Sequence, residues 1–221
     1  MPIYAKKVLH ILYLCATLLL TACASQPDYT RASESFSSTR SISINKEVWM
    51  TDKPFVQMPY QVWAGAVAGA TGAIVTANLP DSERYKILLS SNQVDLRAIL
   101  LTSVNNALKP VASSLKMVPE KGDTELHVAI PFYGIHGSGP FAVTSLEPML
   151  SVEMKIVDPD GKVLWVSTES IKFPSRKQVD AHTMSEYSKN PALLSDGYAK
   201  LSDIIVTTLV SRLSEAKQIA K

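Results

Sequence analysis

The sequence predicts an α+β fold: a small, mostly antiparallel sheet packed against two long amphipathic helices, in a single domain. Three observations predict it. Apolar and polar residues alternate over 125–130, 149–157 and 162–168, the period of a half-buried strand. Helical spacing of apolar residues runs through 94–108 and again through 194–213. Asp158-Pro159-Asp160-Gly161 joins two of the alternating runs with the residues a tight turn requires.

The chain opens on a different pattern. Lys6 and Lys7 precede Val8–Leu20, 13 residues broken only by His10 and Thr17, and small residues follow. This is the order of a secretory signal, and the run falls short of the ~20 residues a membrane-crossing helix needs. It ends in Leu20-Thr21-Ala22-Cys23. That stretch resembles the lipobox of bacterial lipoproteins: a branched apolar residue, two small residues and a cysteine. The resemblance implies a diacylglycerol on the Cys23 thiol, cleavage between Ala22 and Cys23, and a further acyl chain on the freed amino group. Two or more acyl chains hold a protein stably on a bilayer, so the membrane becomes a partner through Cys23. Ala24, where an aspartate would mark inner-membrane retention, resembles the outer-membrane default and implies a domain facing the periplasm. The residues also admit an ordinary signal peptide, cut after Ala22 or Ala24.

Removing the first 22 of 221 residues leaves 199, and takes two of the 22 Lys+Arg with it, so that 20 cationic residues face 20 acidic ones. A neutral chain excludes nucleic acid as the expected partner, because phosphate binding rests on a basic surface. Cys15 leaves with the signal and Cys23 is the expected lipid site, so the domain has no cysteine left for a disulfide. Its stability is expected from one hydrophobic core.

Residues 23–40 carry the lipidated cysteine and a Ser-rich stretch without apolar periodicity, expected as a flexible tether before a domain over 41–217. Ser41–Asn45 alternates, Val48-Trp49-Met50 follows, and together they predict a first strand near 40–50, broken at Thr51-Asp52-Lys53-Pro54. From Val62 to Leu79 no residue is charged, and Gly65, Gly69 and Ala73 recur at four-residue spacing. On a helix they form a ridge of small side chains, which suits close packing within the domain, self-association or membrane insertion. No Gly-Lys-Ser/Thr follows these glycines, which argues against a phosphate loop.

Residues 81–109 predict a helix: Asp81 and Ser82 offer capping oxygens, Val94, Ile99, Leu100, Val104 and Leu108 share a face, and Pro110 stops it. Leu126, Val128 and Ile130 form one face of the next strand, with Glu125, His127 and Ala129 on the other, and Pro131 is expected to end it. Gly134–Pro140 reads as a mobile glycine loop. Leu150, Val152, Met154 and Ile156 face inward, and 162–168 returns as the hairpin partner. Residues 172–196 read as a polar loop, and Leu193 to about Lys217 as a second core helix.

No spacing among these residues supports a catalytic or metal centre. His127, His136 and His182 fit no zinc pattern. His136-Gly137-Ser138-Gly139-Pro140 lacks the strand–turn–helix setting of a nucleophile elbow, and Glu147, Glu153 and Asp158 have no placed partner. The expectation is no cofactor, no metal and no enzyme.

The order of strand, small-residue segment, long helix, Asp-Pro-Asp-Gly hairpin and terminal helix resembles a broad group of bacterial envelope lipoproteins. That group includes the curli secretion-channel lipoprotein and the outer-membrane activators of peptidoglycan synthases. The resemblance covers about residues 40–215 and implies an αβ domain with helices against a small sheet. The chain departs from the curli channel in showing no clear pair of long, pore-forming amphipathic strands. Three expectations follow: a binding or scaffolding domain for another envelope protein, a self-associating subunit of an envelope or secretion complex with Gly65, Gly69 and Ala73 at the contact, or an envelope enzyme using the 134–140 loop.

Overall fold

A computed structural model describes residues 29–57, 79–138, 145–175 and 177–219. Ala22, Cys23, Gly65, Gly69 and Ala73 lie outside these residues. The α+β architecture stands. Strands β1 (Tyr29–Ala32), β2 (Ile42–Met50), β3 (Phe55–Gln57), β4 (Thr124–Ser138), β5 (Ser145–Val157) and β6 (Val163–Ile171) form one sheet in the order β1-β6-β5-β4-β2, with β3 also on β4. The β1–β6, β6–β5 and β5–β4 pairs are antiparallel, whereas β2 and β3 run parallel to β4. A parallel pair needs a crossover. Here it is made by helices α1 (Asp81–Ser91) and α2 (Leu96–Leu108), followed by the single turn α3 (Ala112–Leu115).

Alternation decides the faces. Leu126, Val128 and Ile130 of β4 and Leu150, Val152, Met154 and Ile156 of β5 are buried on one side, with Trp165 of β6 in register with Ile156. The C-terminal helix α5 (Ala192–Ile219) lies across β5 and β6 and packs beside α2. Its stripe of Leu194, Tyr198, Leu201, Ile205, Leu209 and Leu213 is buried in the same cluster as Leu100, Val104 and Leu108. Ser103 donates to Asp203 at 2.6 Å between the two helices, and Arg212 joins α5 to Glu169 on β6 at 2.5 Å. The Asp158–Gly161 turn forms as its residues dictate: Asp158 Oδ1 accepts from the backbone of Asp160 and Lys162, and Gly161 takes a φ of 82°.

Four expectations are corrected. Pro131 does not end β4, which runs on to Ser138, so Gly134–Ser138 is strand rather than loop. The register with β5 shifts between Ala129 and Phe132, and a bulge leaves a residue out of the ladder, where the missing N–H of proline does no harm. The neighbouring edge breaks at the same level: Thr51 donates to Ile130 O at 3.1 Å, and β3 starts only after Pro54. Gly134 is then required by close approach, because a Cβ there would stand 1.8 Å from the Phe55 carbonyl oxygen.

The expected helix over 81–109 is two helices. α1 ends in a Schellman motif, with Gln93 N donating to Ser90 O and Val94 N to Leu89 O, and Gln93 takes a φ of 55° where glycine is usual. Asp95 then caps α2, accepting from Arg97 N at 3.0 Å and Ala98 N at 3.1 Å. The polar loop over 172–196 contains helix α4 (Met184–Lys189), opened by a Thr183/Glu186 capping box and holding Met184 and Tyr187 in the core.

Finally, the part of the expected tether from Tyr29 onward is structured. After β1 comes a 3-10 turn, Glu34–Ser38, whose Phe36 is fully buried. The buried Lys217 ammonium, near the end of α5, donates to the carbonyls of Phe36 (3.0 Å), Ser37 (3.4 Å) and Thr39 (2.8 Å) and lies over the Phe36 ring.

Candidate functional site

On the helix side of the sheet the chain leaves a cleft where two interruptions meet the flank of a helix. The β2–β3 break supplies Met50, Thr51 and Asp52, α1 supplies Lys86, Leu89 and Ser90, and the α1–α2 joint supplies Gln93 to Arg97. Tyr133 also lines it, and the volume is about 560 Å³, within the usual range for small-ligand and side-chain pockets. Hydrophobic Leu89, Val94 and Leu96 meet a few polar groups, the usual makeup of a binding cleft.

The polar groups are unequally engaged. Lys86 is tied to Glu83 at 2.8 Å, and that hydrogen bond raises its pKa. Asp95 is occupied in capping α2. Arg97 and Asp52 make no ion pair among the described residues. Burial pushes the Tyr133 phenol up, so it stays protonated and able to donate near neutral pH. A cation, a carboxylate and a neutral donor at one apolar opening can orient a polar segment of a partner.

Behind Tyr133, two tyrosines fix the strand that carries it. Tyr198 of α5 donates to Gly134 O at 2.7 Å, and its hydroxyl lies 2.6 Å from that of Tyr85 on α1. The Tyr85 hydroxyl also reaches Gly134 O, at 3.5 Å, so both phenols converge on one carbonyl, with Tyr198 the shorter donor. Burial raises both pKa values. Tyr187 of α4 likewise donates to Leu146 O at 3.1 Å, and burial raises its pKa as well. Three helices are thus pinned to the end of the sheet that carries β3.

The opposite face of the sheet carries two of the histidines, His127 and His136. His127 stands 3.4 Å from Glu125, and His136 is 3.2 Å from Gln57 and edge-on to Phe173. His182 lies against the Tyr187 ring, its backbone bridged to Leu146. No group of three metal-ligating side chains forms among the described residues. Glu147 is buried and sits opposite His136 in the β4–β5 register, whereas Glu153 is half-buried beside Ala129, and Asp158 belongs to the turn. Ser138 is the last residue of β4, opposite Ser145.

The cleft residues escaped sequence reasoning because they come from four separate stretches. The Thr183-x-x-Glu186 spacing was available as a signal for α4; nothing comparable marks Gln93 or Arg97.

In sequence the chain matches no protein family and no curated protein. Similar solved structures include a minor lipoprotein from Acinetobacter baumannii, at 11% identity over 82% of this chain and 91% of that one, with a TM-score of 0.35. The PelC dodecamer from Paraburkholderia phytofirmans gives 12% identity, 79% and 96% coverage and a TM-score of 0.27. Lipoprotein GNA1162 from Neisseria meningitidis gives 15%, 74% and 98%, with 0.25. These superpositions are too loose to carry a partner, an assembly or an activity across. Among the described residues no helix is long and apolar enough to cross a membrane.

Proposed function

We propose that this chain is a lipid-anchored protein of the bacterial cell envelope, held by acyl chains on Cys23, whose domain binds another envelope protein without chemistry of its own. Ala24 after the cysteine supports the outer membrane, with the domain facing the periplasm. The observation that carries the binding role is the cleft between the β2–β3 break and the α1–α2 joint, lined by Arg97, Asp52 and the buried Tyr133.

The test is site-specific photo-crosslinking in intact cells. A photoreactive residue replaces Ser90 or Gln93 at the cleft, and Thr207, exposed on α5, as the control position. The expected result is an adduct with a different protein at the cleft positions alone. Adducts containing only this chain would overturn the adaptor reading and favour a self-associating subunit. Loss of metabolic palmitate labelling in Cys23→Ser checks the anchor separately.

A further inference from the structure

The far face of the sheet gathers exposed aromatic surface at one end. Phe55 (43% exposed) packs on Phe132 with ring centroids 5.6 Å apart, and the Lys172 ammonium lies 5.4 Å from the Phe132 centroid. Phe173, 69% exposed, stands edge-on to His136, which in turn meets Gln57, two residues beyond Phe55 on β3. Trp49, 62% exposed, sits one step down the same face, in register with Ala129. The two ring pairs and Trp49 share one face and one end of the sheet, and no contact among the described residues places an element over them. Polar residues on this face include Lys172, His136, Gln57, the buried Glu147, the Ser151–Ser170 pair beside Phe132, and the half-buried Glu153 across Ala129 from Trp49.

The path of the chain says what lies opposite. β1 begins at Tyr29 beside Thr168, three residues before β6 ends and five before Phe173, and it runs away from that end. Cys23 is six residues upstream of Tyr29. Fully extended, six residues reach about 20 Å. A cysteine fixed in lipid therefore keeps the Thr168–Phe173 end within roughly that distance of the bilayer, far closer than a tether running to residue 40 would.

We propose that this aromatic end, Phe55, Phe132, Phe173 and Trp49 with Lys172, rests in the headgroup layer of the lipid bilayer that holds Cys23. The proposal rests on the lipid anchor of the preceding section. Aromatic rings and a snorkelling lysine suit the boundary between headgroups and acyl chains, where one end of each side chain is apolar and the other wet. The anchor supplies most of the binding; the patch sets the orientation. The cleft lies on the other side of the sheet and stays open to a protein partner.

The test uses the full-length lipidated chain in vesicles of phosphatidylethanolamine and phosphatidylglycerol. The mature chain has no cysteine beyond Cys23, whose thiol carries the lipid, so single cysteines placed as Phe55→Cys, Phe173→Cys or Thr207→Cys take a nitroxide label specifically. Relaxation by oxygen and by a water-soluble nickel chelate reads the depth of each label. The expected result is a several-fold higher oxygen-to-nickel ratio at 55 and 173 than at 207. With protein that floats with the vesicles, equal and water-like ratios at all three positions would overturn the docking and leave the anchor standing. Shielding of 55 and 173 only in native envelopes, and not in pure vesicles, would assign the patch to a protein and overturn the lipid. Protein without acyl mass that fails to float would overturn the anchor, and the docking with it.

Discussion

Tyr198 is the residue on which the junction of α5, α1 and β4 turns. Its hydroxyl is the short donor to Gly134 O and shares a hydrogen bond with that of Tyr85. Tyr198→Phe leaves a buried carbonyl and a buried hydroxyl to re-pair, at a cost of about 1–3 kcal/mol. Tyr85→Phe is expected to cost less, since Gly134 keeps its donor; urea denaturation midpoints compare the two. The same pair sets an alkaline limit. Burial raises both pKa values above the ~10 of an unfolded tyrosine, so their contribution is complete below pH ~10 and is lost as the pH climbs above it. The Tyr85→Phe/Tyr198→Phe double variant is expected to lose stability less steeply above pH ~10 than the parent. At this scale little was legible in the sequence. Tyr198 could be placed on the inner stripe of a helix, but its partner, Gly134, lay in a stretch whose glycines suggest a loop. Gly134 itself is explained by Phe55, which comes within contact of it only once β3 has paired.

Elements whose residues repeat with one period were readable, and elements that change period were not. The start of β4, β5 from Met149 onward and the Asp158–Gly161 turn follow from alternation and turn chemistry alone. Pro131, Gly134 and Gly137 break the alternation, yet β4 runs through them, with a bulge near the proline, because β5 and β3 still offer partners on both sides. The α1–α2 joint was hidden for the converse reason: Gln93 holds a left-handed conformation that the sequence gives no cause to expect. Helix α4 was legible in principle. Glu186 accepts from the Thr183 backbone at 2.6 Å and from its hydroxyl at 2.9 Å, and the backbone bond first, then the hydroxyl, lowers its pKa. A lowered folded pKa means stability that is present above the unfolded value, ~4.3, and lost as the pH falls toward the folded one. Glu186→Gln is therefore expected to flatten the acid limb of the stability profile below pH ~4.3 while leaving the alkaline limb unchanged. Circular dichroism melts across the pH range read both limbs.

For the molecule as a whole, fold class and core faces could be read from composition and period, whereas the cleft and the aromatic end could not. Both depend on β2 and β3 sharing one edge of β4, a pairing between stretches some 80 residues apart. The entry segment depends on longer reach still. Phe36 is the one large apolar residue near the middle of a Ser-rich stretch, and it is held by Lys217, 181 residues away. Lys217→Met removes charge-assisted bonds to three carbonyls and is expected to cost about 1.5–3 kcal/mol. Hydrogen exchange should then show faster exchange over 33–40 with the centre of the sheet unchanged. A uniform rise across the sheet would mean that the clamp supports the whole core.

That clamp also fixes an order in time. Residues 29–40 are synthesised first among the folded residues, yet β1 needs β6, and Phe36 needs the end of α5. The sheet from β2 to β6 and both core helices can assemble while this segment waits without partners. Closure of the seam therefore cannot precede the placement of β6 and of the end of α5. The described segment nearest Cys23 thus waits on parts of the chain made well after it.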